Sequence, residues 1–86
     1  MSNVILYASP LCGYCQRAKA LLDKKGVEYT FLNVDQDPRL WQEMVERSRR
    51  NTVPQIFIDD FQVGGYDDLM ALDQAGKLDA LLDKNR

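Results

Sequence analysis

The chain has 86 residues, with 13 acidic and 11 basic side chains for a formal net charge of −2, and it contains no histidine. That length supports one hydrophobic core, so residues 1–86 read as a single domain. The charge balance gives no general attraction for nucleic acid or an anionic membrane. The absence of histidine excludes Cys–His nucleophilic catalysis, His-containing zinc sites and a histidine general base.

Hydrophobic residues make up 45% of the chain, but no apolar run approaches the ~20 residues that span a bilayer, and Met1-Ser2-Asn3 lacks a basic leader region. A cytoplasmic protein is therefore expected. Its two cysteines are too few for the disulfide framework of a small secreted domain and fit a reactive pair in a reducing compartment.

In chain order, Val4-Ile5-Leu6-Tyr7-Ala8 predicts a strand and Gln16 to Lys25 a helix, with the only cysteines, Cys12 and Cys15, between them. Lys25-Gly26 marks a turn, and the alternating, β-branched and aromatic segment Glu28 to Val34 predicts a second strand. A helix between neighbouring strands is a right-handed crossover, which makes those strands parallel. Asp37-Pro38 opens a second helix, with Asp as N-cap and Pro at the first helical position, and Leu40, Trp41, Met44 and Val45 form its apolar stripe. Arg47, Arg49 and Arg50 follow. They read either as a solvated helix end or as local attraction for an anion beside Thr52-Val53-Pro54.

Gln55 to Ile58, the turn Asp59-Asp60 and Phe61 to Val63 predict an antiparallel hairpin. Gly64-Gly65-Tyr66-Asp67-Asp68 then leads into a helix over Leu69 to Gln74, and Gly76 separates it from a last helix carrying Leu78, Leu81 and Leu82. The order βαβαββα plus a terminal helix predicts an α/β fold with a four-stranded mixed sheet flanked by helices.

Three motifs carry chemistry. Residues three apart in a helix have Cβ atoms roughly 5–6 Å apart, whereas a disulfide needs about 3.8 Å, so a Cys12–Cys15 bond closes easily only where the helix is beginning. Unpaired N–H groups there favour a thiolate, which makes Cys12 the exposed nucleophile and Cys15 the resolving thiol beneath it. Arg17 and Lys19 are nearby cations that lower the thiolate's free energy further. Inert buried thiols are one alternative and half of a zinc site is another, although no second ligand pair exists. Proline at a strand start, as in Thr52-Val53-Pro54, is tolerated anywhere and says little alone. In Gly64 to Asp68, glycines before a helix N-terminus can seat a carboxylate while an Asp takes an ammonium group, the two charges of an α-amino acid; or Asp67 or Asp68 merely caps the helix.

Taken together, Cys12-Gly13-Tyr14-Cys15, Thr52-Val53-Pro54 and Gly64-Gly65-Tyr66-Asp67-Asp68-Leu69 resemble the dithiol glutaredoxins of bacterial type, over nearly the whole chain. The resemblance implies a thioredoxin-like fold in which a cis Pro54 faces Cys12, and a glutathione-dependent thiol–disulfide oxidoreductase acting on protein disulfides and glutathione mixed disulfides. Cys12 would attack and Cys15 would resolve. Glutathione, the reductant, would lie with its cysteinyl part on the Val53 backbone. Its γ-glutamyl carboxylate would sit on the N–H groups of Tyr66 and Asp67 and its ammonium on the Asp67 side chain, with Tyr14, Thr52, Pro54 and Gly65 completing the site. The partners implied are glutathione and disulfide-containing proteins, met by a monomer.

Three positions depart from the family pattern. Ser9 stands where many members carry a basic residue that holds the glycine carboxylate of glutathione, and Trp41, beside Gln42, stands where a Gln or Arg serves the same end. Gln42 or Arg50 would compensate. Gly13 replaces the commoner proline, and some members without that proline share a [2Fe–2S] cluster between two subunits. Cys12 would then be the cluster ligand from each chain, glutathione thiolates would supply the rest, and the protein would be a cluster-bridged carrier dimer.

Overall fold

The computed structural model describes residues 3–83; Met1 and Ser2, weighed above for a leader, lie outside the described residues. The elements are β1 (Val4–Ala8), α1 (Gly13–Lys24), β2 (Thr30–Asn33), α2 (Pro38–Ser48), β3 (Gln55–Ile58), β4 (Phe61–Gly64), α3 (Tyr66–Gln74) and α4 (Leu78–Asp83). The sheet order is β2-β1-β3-β4. β1 pairs parallel with β2 and antiparallel with β3, and β3 pairs antiparallel with β4, as the crossover and hairpin predict.

Strand alternation divides the core into two layers. Val4, Leu6 and Ala8 of β1, with Ile56 and Ile58 of β3, bury against Cys15, Ala18 and Leu22 of α1, Leu69 of α3, and Leu78 and Leu82 of α4. Tyr7 and Phe57 point to the opposite face and pack with Val34 and Met44 beneath α2. There the Tyr7 hydroxyl donates to Glu43 Oε2 at 2.5 Å, and the Arg47 guanidinium lies 4.1 Å from the Phe57 ring centre, so Arg47 holds α2 to the sheet. No described helix is long and apolar enough to cross a membrane.

Boundaries differ from expectation by more than one residue at three elements, each for a local reason. α1 begins at Gly13 rather than Gln16, because Cys12 in extended conformation (φ −95°, ψ 123°) is the N-cap and the cysteine motif forms the first turn. β2 is limited to Thr30–Asn33, the residues that find partners in Ile5–Ala8. α3 begins at Tyr66 rather than Leu69, because Asp68 accepts the Gly65 N–H at 2.9 Å, the half of a capping box that a glycine N-cap allows. α2 starts as predicted, with Asp37 accepting the Arg39 N–H at 2.9 Å and Pro38 at its first position.

Candidate active site

The end of β1 and the start of α1 place both sulfurs. The Cys12 N–H donates to the Ser9 carbonyl at 3.2 Å, and the Gln16 N–H to the Cys12 carbonyl at 3.1 Å, so the loop tightens directly into the helix. Cys12 is half-buried, with its Sγ 3.9 Å from the Val53 carbonyl oxygen. Cys15 is fully buried on the core side and receives the Ser9 N–H at 3.4 Å. Both are free thiols.

Their environments drive their acidities apart. Burial raises the Cys12 pKa, but the Cys15 N–H, the Cys15 thiol and the Tyr14 N–H outweigh it and leave the group below its ordinary value. Burial pushes Cys15 up to about 12, the Ser9 N–H opposing it while the bond to Cys12 and the charges of Cys12 and Asp35 reinforce it. Cys12 therefore ionises first. Arg17 and Lys19 do not contribute as expected: the Arg17 guanidinium lies 5.5 Å from the Tyr14 ring centre, and Lys19 pairs with Asp23 at 3.2 Å. The helix start acts through its backbone donors instead.

Across from Cys12, the Val53–Pro54 peptide is cis. A groove of about 310 Å³ runs from there to the start of α3, lined by Tyr14, Arg50, Thr52 to Gln55 and Gly65 to Asp68. The rings of Tyr14 and Tyr66 stand 6.1 Å apart along its wall. Gly64 makes the close approach possible, since its φ of +106° suits glycine and a Cβ there would strike the Asp68 carboxylate and the Arg50 guanidinium.

The two aspartates separate cleanly. Asp68 is the cap, its pKa lowered by the Gly65 N–H and by Arg50 at 3.0 Å. Asp67 is exposed at the groove, and its carboxylate makes no hydrogen bond or ion pair among the described residues.

The structure thus gathers Tyr14, Thr52, Val53, Pro54, Gly65, Tyr66 and Asp67 along one groove, with Cys12 at its edge and Cys15 beneath. It adds Gln55 and Asp68, and it turns Arg50 into the groove. Asp68 had a sequence signal, its capping-box spacing from Gly65; Gln55 had a weaker one, as the polar member of a buried strand. Trp41 is exposed and outside the groove lining, and Gln42 donates to Glu46 at 3.1 Å. Ser9 is buried, its hydroxyl bonded to the Asp35 carboxylate.

A β2-β1-β3-β4 sheet carrying a Cys-x-x-Cys on the first turn of a helix, its first thiol acidified and facing a cis-proline loop, defines a thiol–disulfide oxidoreductase of thioredoxin-like fold. Comparison narrows the class. The Glutaredoxin family model matches residues 4–63. Glutaredoxin 3 of Escherichia coli K12 is 54% identical over 82 residues, covering 95% of this chain and 99% of that one. Glutaredoxin of Pseudomonas aeruginosa is 49% identical over 82 residues, covering 95% and 98%. Among solved structures, a buckwheat glutaredoxin–glutathione complex superposes with a TM-score of 0.89 at 29% identity, covering 96% of this chain and 78% of that one. Glutaredoxin from Brucella melitensis gives 0.86 at 53% identity, covering 100% and 94%. The chain belongs to the glutaredoxin family. It is a glutathione-dependent thiol–disulfide oxidoreductase.

Proposed function

We propose that Cys12 is the nucleophile of a dithiol cycle and that the groove between Val53 and Asp67 seats glutathione. The observation that carries this is the split between an acidified, half-buried Cys12 and a buried Cys15 held up to about 12. With a glutathionylated protein, the Cys12 thiolate attacks the glutathione sulfur and the protein leaves as its thiolate. A second glutathione thiolate then attacks that same glutathione sulfur, which returns Cys12 as thiolate and releases glutathione disulfide. With a protein disulfide, Cys12 attacks one sulfur and expels the other. Cys15 gives up its proton to solvent and attacks Cys12 Sγ, freeing the second substrate thiolate and leaving a Cys12–Cys15 disulfide that two glutathiones reduce.

Two causes that hold the Cys15 proton, the bond to Cys12 and the Cys12 charge, vanish once Cys12 is bonded to substrate. Cys15 is thereby easier to ionise at the step that uses it.

In the groove, the Val53 backbone pairs with the cysteinyl part of glutathione, flanked by Thr52, Pro54 and Tyr14. The N–H groups of Tyr66 and Asp67, at the start of α3 after Gly65, take the γ-glutamyl carboxylate, and the unpaired Asp67 carboxylate takes the ammonium. Arg50, the cation in the groove lining, is paired with Asp68 at 3.0 Å beside the γ-glutamyl end; with Ser9 engaged with Asp35 and Trp41 off the groove, no lining cation among the described residues is placed for the glycine carboxylate. The chain works as a single-domain monomer in a reducing compartment, the cytoplasm, where its thiols stay free.

The test is activity with a small glutathione mixed disulfide. Cys12→Ser abolishes turnover, whereas Cys15→Ser retains much of it and loses reduction of protein disulfides. Full activity in the Cys12 variant overturns the mechanism.

A second, subordinate role is proposed from Gly13, which stands where the commoner family motif has proline. One chain gathers no group of three or more His, Cys, Asp or Glu among its described residues, so a [2Fe–2S] cluster requires Cys12 from each of two chains plus two glutathione thiolates. Anaerobic reconstitution with iron, sulfide and glutathione tests it: a coloured species of dimer mass supports cluster carriage, and a colourless monomer removes it.

A further inference from the structure

All four residues of β3 are buried, and Gln55 is the one polar side chain among them, 1% exposed. Its amide is used from one end. Nε2 donates to the Thr52 carbonyl at 3.1 Å and to Thr52 Oγ1 at 3.3 Å, while no protein donor among the described residues reaches Oε1. Satisfying Thr52 does not explain this arrangement, because Thr52 is exposed and water can serve its carbonyl and hydroxyl. Core packing does not explain it either, since an apolar side chain of the same shape fills a strand interior without burying an amide.

The geometry of the peptide unit does explain it. The Thr52 carbonyl and the Val53 N–H belong to one planar trans peptide and point in opposite directions. Fixing the carbonyl inward on Gln55 turns the Val53 N–H outward, and this N–H makes no hydrogen bond among the described residues. Immediately after it comes the cis Val53–Pro54 bond and the Val53 carbonyl that lies 3.9 Å from Cys12 Sγ.

We infer that Gln55 is a positioning residue for the reaction: by clamping Thr52 it aims the Val53 N–H into the groove as the donor for an extended thiol peptide. The inference rests on the proposal that Val53 pairs with the cysteinyl part of glutathione. Loss of the clamp costs binding through Val53, not chemistry at Cys12, which takes its donors from Tyr14 and Cys15.

The experiment is Gln55→Met, which keeps length and bulk and removes both donors. Turnover with a glutathione mixed disulfide should show KM raised ~10-fold with kcat within about twofold, the size expected for one hydrogen bond lost on binding. The melting temperature should change little, and the shift of the Val53 amide resonance on saturation with glutathione should shrink, as a loss of packing alone would not require. Asp67→Asn is measured in parallel. If Asp67→Asn raises KM while Gln55→Met moves neither KM nor the Val53 amide's response to glutathione, the positioning role is wrong and the groove assignment stands. If neither variant moves KM, the groove assignment fails and takes the inference with it. Exchange of the Gln55 side-chain amide in the unaltered protein gives a check that needs no variant: protected protons support the clamp, and exchange at the rate of a free amide overturns it.

Discussion

The burial of Cys15 makes a prediction about stability that can be worked through in full. The thiol is pushed from an ordinary value of 9.0 up to about 12 in the folded, reduced protein. A group whose folded pKa is raised holds its proton more tightly in the native state, so its contribution is fully present below about pH 9 and is lost as pH rises toward 12. Three units at about 1.36 kcal/mol each give about 4 kcal/mol in total, of which about 3 kcal/mol is lost by pH 11. That is a large share of the 5–15 kcal/mol typical of a domain.

The assay is denaturant unfolding of the fully reduced protein at a series of pH values, compared with Cys15→Ala. Both proteins share the alkaline titration of Tyr7, Tyr29, Lys19 and Lys25, and above about pH 10, where Cys12 is ionised in folded and unfolded chains alike, the slope of the difference isolates Cys15. Above about pH 10 the unaltered protein falls faster by about 1.4 kcal/mol per unit; below that, the offset combines the cost of the missing sulfur with the Cys12 titration, which the Cys15 thiol shifts. Parallel lines through pH 11 would refute the claim that burial holds this thiol neutral. The oxidised protein, with no Cys15 proton to lose, should show no extra slope.

Two glycine substitutions test the site's framework. Gly64→Ala forces a side chain onto a φ of +106° and into Asp68 and Arg50, so it should lower unfolding free energy by about 2–4 kcal/mol and raise KM for the glutathione mixed disulfide by disturbing the α3 cap. Gly26→Ala, at a φ of +72° with nothing nearby, is the control and should cost only about 1–2 kcal/mol with KM unchanged. Gly13→Pro should leave Cys12 reactive, because the donors that acidify it are the N–H groups of Tyr14 and Cys15 and the site is the first helical position. It should also add about 0.4–1 kcal/mol by restricting the unfolded chain, and a drop in melting temperature would contradict the open space seen there.

What could be read ahead of the structure was whatever a short window determines. Alternation in Val4–Ala8 and the Asp37-Pro38 start are local signals, and they placed β1 and α2 correctly. The groove's outline was legible because its three motifs sit at fixed junctions between elements. The starts of α1 and α3 were misplaced because glycines and a Cys pair look like loop until their caps are seen, although the Gly65–Asp68 spacing already encoded one of those caps. The Arg50–Asp68 pair spans 18 residues and exists only because the β3–β4 hairpin returns α3 to that place; nothing local announces it. Ser9 shows the limit from the other side. As a residue type it signals only a missing cation. In the fold its carbonyl holds the Cys12 N–H, its N–H meets Cys15 Sγ, and its hydroxyl joins Asp35 to the Leu11 N–H at 3.3 Å. Two of those contacts run through the backbone, which every residue type shares. A role built that way leaves little trace in the identity of the side chain, and it is why the residue that holds the Cys12 backbone and meets the Cys15 thiol surfaced only with the structure.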